Sequence, residues 1–391
     1  GKRRPFIFAG AFVSVVSLIG FSNATALKDL SVVLALLLAL CSFWALDFSI
    51  NAIQGPIRSL LTDTVPDNQQ PMGNAFLAVH TGMGNLVGSL LGGVNFQHVI
   101  PGLPAVVTDI RILYGIGVLL LSVTVGLCLV FASEVPEERH AQMQRLLSAW
   151  KSIMKQFSTS SGMSTDENEG ANLLNLSQRS SVWALPKPVR RVFLVQLFTW
   201  FAWFTCFMFA ASWVGQDVKG GDPTAPESSP SLLRYNEGVR TGNIGLALQA
   251  FVSLCYAPLL PTLMRLTSLK IVYTASHILM AACLIGTYLV SSGFWAILLL
   301  GALGIPWATT MVIPWSLSGS AVSHTRSIGL FLALMNLSQC LPEIVAAVCG
   351  SIVLVLFGGK MVYVLMMGGF SAVIGAILVP LIIIVPPNMV E

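Results

Sequence analysis

Between Ser31 and Leu61 a long apolar run carries four polar side chains, Asp47, Asn51, Gln54 and Arg58, at relative positions 0, +4, +7 and +11. On a helix turning about 100° per residue these fall within roughly 60° of one another and form one polar stripe. An ionised group at mid-bilayer costs about 2.5 to 3.5 kcal/mol on insertion scales, so such a stripe must meet protein, water or a solute rather than lipid. A carboxylate, two amides and a guanidinium fork along one line can hold paired hydroxyls. A partly desolvated carboxylate can also carry a proton. Asp47 and Arg58 are about 16 Å apart along the axis at 1.5 Å per residue, so they act at successive depths rather than as a pair. The bland alternative is that both only tie helices together.

Other groups in apolar runs are candidates for proton handling. Asn336, Gln339 and Glu343 sit at 0, +3 and +7 on one face, with Pro342 loosening the backbone beside the acid. Glu343 is therefore a second proton-coupling candidate after Asp47, with a neutral interhelical hydrogen-bonding acid as the alternative. His80 has a side chain whose unperturbed pKa is near 6.5 and is a third candidate, with helix packing as its alternative. Gly84, Gly88 and Gly92 repeat at four-residue spacing, a pattern that lets helices approach closely. Trp200, Trp203, Phe204, Trp307 and Trp315 offer faces on which a sugar ring could stack, although aromatics in membrane helices are mostly packing or interfacial anchors.

These residues need long elements to position them. The chain is 55% hydrophobic and only 10% charged, with mean hydropathy +0.78. A membrane-spanning helix needs about 20 mostly apolar residues. Ten stretches qualify: about Pro5–Ala26, Ser31–Ile57, Pro71–Phe96, Asp109–Ala132, Arg191–Val214, Gly238–Leu260, Ile271–Val290, Phe294–Leu317, Ile328–Leu356 and Met361–Val385. Runs this long are helices, because backbone polar groups must be satisfied within each segment. The organisation predicted is a helical bundle over 1–132, a cytoplasmic link over 133–190 and a six-helix bundle over 191–391. Within the link, apolar residues recur at helical spacing from Glu137 to Phe157, which suits an amphipathic helix on the membrane surface. From Ser158 to Ser181 the composition suits a flexible segment.

Placing that link in the cytoplasm puts fifteen of the 21 Lys and Arg residues inside. The net charge of +4 thus reports topology rather than a nucleic-acid partner. The seven cysteines lie in apolar spans with no CxxC spacing, so neither disulfides nor a metal site is expected. No nucleotide loop or nucleophile–base pair is present, and no enzyme is expected. A proline-to-glycine pattern from Gly55-Pro56 to Gly73 has an echo from Pro314 to Gly329. A duplicated six-helix unit whose first copy lacks its opening pair accounts for this echo.

The run Ala45-Leu46-Asp47-Phe48-Ser49-Ile50-Asn51-Ala52-Ile53-Gln54-Gly55-Pro56-Ile57-Arg58-Ser59-Leu60 resembles the fourth-helix signature of the glycoside–pentoside–hexuronide cation symporters. It is nearest to plant sucrose carriers and their animal relatives. Gly1-Lys2-Arg3-Arg4-Pro5, Trp213-Val214-Gly215-Gln216, Tyr235-Asn236-Glu237-Gly238 and Gly329-Leu330 to Asn336-Leu337 extend the likeness through the chain. The resemblance implies an all-α major-facilitator fold in which ten of twelve transmembrane helices, three to twelve, are present. It also implies substrate binding by Arg58, Asn51, Gln54 and Asp47, and proton-coupled uptake of sucrose or a related sugar, with no cofactor beyond the proton. The protein would be multi-pass in the plasma membrane, or else in a vacuolar or other internal membrane. The pattern departs from the plant carriers at the seventh helix, where Ala210 and Ser212 replace two aspartates, and Gln216 and Asp217 replace an Arg-Glu pair. Two alternatives follow: an uncoupled facilitator, and a transport-inactive or sensor-like relative.

Overall fold

The computed structural model describes residues 3–28, 30–64, 70–102, 104, 107–132, 187–226, 228–322 and 328–383, and every regular element among them is helical. The long helices are α1 (Arg4–Asn23), α2 (Val32–Thr64), α3 (Gln70–Gly92), α4 (Asp109–Phe131), α5 (Lys187–Trp213), α6 (Pro230–Tyr256), α7 (Leu269–Gly286), α8 (Gly293–Ala302), α9 (Gly304–Val322), α10 (Ile328–Leu356) and α11 (Met361–Ile382). Among the described residues nine stretches are long and apolar enough to cross a membrane, α8 and α9 counting as one, and α3 adds a helix of 23 residues. All ten expected spans are thus helical. The amphipathic helix expected at Glu137–Phe157 and the stretch Ser158–Ser181 lie outside the described residues.

The span expected at Phe294–Leu317 is interrupted at Leu303, between α8 and α9. The interruption has a local cause, because Pro306 has no N–H to donate to the Ala302 carbonyl; just beyond it, a Cβ on Gly304 would lie 2.3 Å from the Gln249 carbonyl oxygen. Only glycine lets the α6 backbone approach this closely.

Contacts divide the chain into two compact units. The first comprises the described residues of Gly1–Phe76 and Asn95–Asn172, the second those of Leu77–Val94 and Leu173–Glu391. The division falls within α3, so that most of that helix groups with the second unit. At the end of this helix Asn243 Nδ2 on α6 donates to the Gly92 carbonyl at 3.0 Å.

In the first unit α1 packs on α2 through small and hydroxyl residues. A Cβ on Gly10 would lie 2.5 Å from the Ile53 side chain, and the Ser14 and Ser49 hydroxyls bond at 2.7 Å. Ile7, Ala11, Ile53 and Leu60 complete this buried seam. In the second unit α5, α7, α8, α9 and α11 interlock around two apolar clusters. One contains Trp203, Trp213, Met280 and Leu300, the other Val192, Tyr273, Ile313 and Val379. The backbones meet closely where glycines permit it, as at Gly238, whose added Cβ would lie 2.5 Å from the Gly215 Cα.

Candidate functional site

The buried residues of α2 define which side packs. Ser42, Ser49, Ile53 and Leu60 are all buried and repeat at 0, +7, +11 and +18, the face that meets α1. The polar stripe has a similar repeat displaced by two residues, Asn51 against Ser49, which turns it roughly 150° to 200° away from that face. Asp47 and Asn51 are half-buried and Gln54 is exposed. Arg58 lies on the same helix, and its side chain falls outside the described ones.

Two of the four are in direct contact. Asn51 Nδ2 donates to the Asp47 carbonyl at 3.0 Å and to Asp47 Oδ1 at 3.2 Å. The amide therefore orients the carboxylate one turn earlier, leaving the rest of the acceptor capacity of Asp47 unused among the described residues. The sequence reading missed Trp44 and Phe48, whose rings stack at 5.7 Å on the same helix beside Asp47. Their i, i+4 spacing was the available signal.

The other candidates belong to the second unit. Gln339 and Glu343 are half-buried one turn apart on α10, with Pro342 buried between them. The Asn336 side chain lies outside the described ones. His80 is exposed on α3. Of the glycine row, Gly92 meets a neighbour, its added Cβ lying 3.2 Å from the Asn243 side chain, whereas Gly84 and Gly88 have no described atom within 4 Å.

The aromatic candidates converge on Trp307. Trp203 crosses it edge-on at 4.9 Å, Phe207 at 5.1 Å and Trp200 at 6.0 Å, while Trp203 and Phe207 stack at 5.3 Å. Trp203 Nε1 donates to Thr310 Oγ1 at 3.1 Å, which fixes the ring in its apolar setting. Trp200 and Trp203 are buried, whereas Trp307 is half-buried and Phe207 exposed, so any solute could meet only the latter pair. Phe204 packs at the margin of this cluster, and Trp315 belongs to the other apolar cluster. A hollow of about 570 Å³ bounded by Cys283, Trp295 and Leu299 contains none of the candidates.

The residues that mark the departure at the seventh helix hold the fold together. Gln216 Nε2 donates to the Gly359 carbonyl at 3.0 Å, and Asp217 Oδ2 accepts from the Val362 amide at 2.7 Å, capping the start of α11. Tyr235 donates to Ser212 Oγ at 3.3 Å, and Ala210 is fully buried.

The family model described as Major Facilitator Superfamily matches residues 1–347. The chain belongs to that superfamily. As a major facilitator it is an integral, multi-pass membrane transporter rather than an enzyme. Among similar proteins, the sucrose transport protein SUC4 of Arabidopsis thaliana is 28% identical over 96% of this chain and 76% of its own length. SUC3 of the same plant is 25% identical over 92% of this chain and 72% of its own length. These relatives are consistent with a sucrose-transporter-like branch of the superfamily. Solved structures show the fold alone. The xylose transporter XylE of E. coli superposes with a TM-score of 0.58 at 11% identity, over 96% of this chain and 79% of that one. The E. coli fucose:proton symporter FucP gives 0.55 at 10% identity, over 97% and 83%.

Proposed function

We propose that this major facilitator carries sucrose or a related sugar by alternating access, with uptake coupled to a proton. The observation that carries the reading is the Asp47–Asn51 pair on the face of α2 turned away from α1. It supplies an oriented carboxylate and an amide on the line that continues to Gln54 and Arg58, the mixture of acceptors and donors that sugar hydroxyls require. Similarity to sucrose transport proteins over most of the chain supports the same substrate class. Asp47 carries the coupling proton in this reading, with Glu343 and His80 as secondary candidates. One proton moving down 100 mV releases about 2.3 kcal/mol, which sustains roughly fiftyfold accumulation of a neutral solute.

A second reading, an uncoupled facilitator, is favoured by Ala210 and Ser212, which leave α5 without a carboxylate before Asp217. Uptake of radiolabelled sucrose with and without a protonophore separates the two. Coupled transport predicts accumulation above the external concentration that the protonophore abolishes. Equilibration alone, unchanged by the protonophore, selects the facilitator, and absence of saturable sugar uptake overturns both.

A further inference from the structure

Inside the second unit a buried polar cluster joins α5 to α7, built from residues that the carrier reading leaves unused. Thr199 Oγ1 and His277 Nε2 are 2.8 Å apart, and both residues are almost completely buried. His277 Nδ1 lies 2.9 Å from the Tyr273 carbonyl oxygen. A carbonyl only accepts, so Nδ1 holds a hydrogen and Nε2 is the ring atom whose protonation is open. Thr199 Oγ1 also lies 2.9 Å from the Val195 carbonyl oxygen. Its single hydrogen therefore has two places to go. Directed at Nε2, it satisfies a neutral imidazole. Directed at Val195, it frees an Oγ1 lone pair to accept from a protonated Nε2. The two charge states are satisfied by one hydroxyl rotation, with every heavy atom in place.

We propose that His277 and Thr199 form a proton-binding site within the second unit. A hydronium ion donates its proton to Nε2 and leaves as water, one N–H bond forms, the ring gains one positive charge, and the Thr199 hydroxyl turns from Nε2 to the Val195 carbonyl. The surroundings support entry of water. Gln196, one turn before Thr199 and fully buried, has neither its amide nitrogen nor its oxygen hydrogen-bonded among the described residues. The Tyr273 hydroxyl is also buried and lies beside the Thr199 hydroxyl. Orphaned buried groups of this kind are where ordered water binds.

The groups facing the imidazole are few. On its own helix the Tyr273 ring lies edge-on at 4.7 Å, Lys270 stands two turns earlier on the same side, and Cys283 follows further along. The α5 helix offers Thr199, and beyond it Cys206 is its only titratable side chain between Arg191 and Asp217. The α11 helix presents Gly375, whose added Cβ would lie 2.5 Å from His277 Cδ2, and Tyr363 is its one titratable residue. The α9 helix has none among residues 304–322. The bound proton is thus held by the hydroxyl, a carbonyl and water rather than by a carboxylate.

The test reads the ring itself and does not depend on which solute is carried. The full chain, labelled with ¹⁵N-histidine and held in lipid nanodiscs, is followed by long-range ¹H–¹⁵N NMR from about pH 8 to about pH 4, the range that brackets an unperturbed imidazole. The resonance absent from His277→Gln should show the Nδ1–H tautomer at high pH and gain a second N–H on acidification. Thr199→Val, which removes the acceptor for Nε2–H, should weaken proton binding about tenfold or more, the loss of one hydrogen bond to a charged group. Thr199→Ser should retain it. A His277 ring that stays neutral throughout, shows the Nε2–H tautomer, or titrates identically in Thr199→Val overturns the proposal.

Discussion

The stripe on α2 and the aromatic cluster of α5 and α9 solve opposite problems. On α2 the polar groups are turned away from the α1 seam, and the Asp47–Asn51 contact is made within one helix. In the cluster Trp203 is fully buried, its nitrogen is committed to Thr310, and its ring is committed to Trp307 and Phe207. The first region leaves acceptor capacity on Asp47 unspent among the described residues, and the second spends nearly all of its contact surface on itself. Interaction capacity left unspent is what recognition of a solute requires, whereas saturated contacts are what a stable bundle requires.

If that contrast is right, substitutions in the two regions separate cleanly. The largest effect is expected for Asp47→Asn, which should reduce proton-driven accumulation from about fiftyfold at 100 mV to simple equilibration. Its melting temperature should stay that of the parent. Uphill accumulation retained in this variant would remove Asp47 from coupling. Trp203→Ala should instead cost about 3 to 5 kcal/mol of stability, as deletion of a buried aromatic does. Trp203→Phe, which keeps a ring but loses the bond to Thr310, should cost about 1 kcal/mol. Thermal unfolding followed by the accessibility of buried Cys206 to a thiol reagent measures both. Should Asp47→Asn destabilise as strongly as Trp203→Ala, the stripe is part of the scaffold and the contrast fails.

Smaller effects refine the picture. Ser14→Ala removes one of two bonded hydroxyls from the α1–α2 seam and should cost about 0.5 to 1.5 kcal/mol without altering the affinity for sugar. Lys219→Ala breaks an ion pair with Glu237 at 2.7 Å between partly and largely exposed side chains. That change should fall within about 0.5 kcal/mol and leave uptake unaffected. A seam variant that alters sugar affinity would mean that α1 packing and the stripe are not independent.

Much of this arrangement was legible in the sequence because one rule dominates it. Apolar runs of membrane-spanning length must be helices, and the 0, +4, +7, +11 spacing places Asp47, Asn51, Gln54 and Arg58 on one face regardless of their neighbours. The close approach of Gly304 to the Gln249 carbonyl was not legible, since it joins two different helices. The same holds for the bond from Asn243 to Gly92, 151 positions apart. Trp200, Trp203 and Trp307 were visible as stacking candidates, but that they chiefly pack on one another required coordinates. His277 gave the weakest signal of all, a lone histidine in the apolar span Ile271–Val290 whose partner Thr199 is 78 residues away.

The central claim, that the α2 stripe lines an aqueous route open to the solute, is tested most directly by chemistry at Asn51. In a variant with the seven native cysteines replaced by serine or alanine, Asn51→Cys is treated with a small, charged thiol reagent with and without sucrose. Labelling that is rapid in buffer and slowed in proportion to sucrose occupancy is the predicted result. A thiol that stays unreactive to the charged reagent while a lipid-soluble one modifies it contradicts the account.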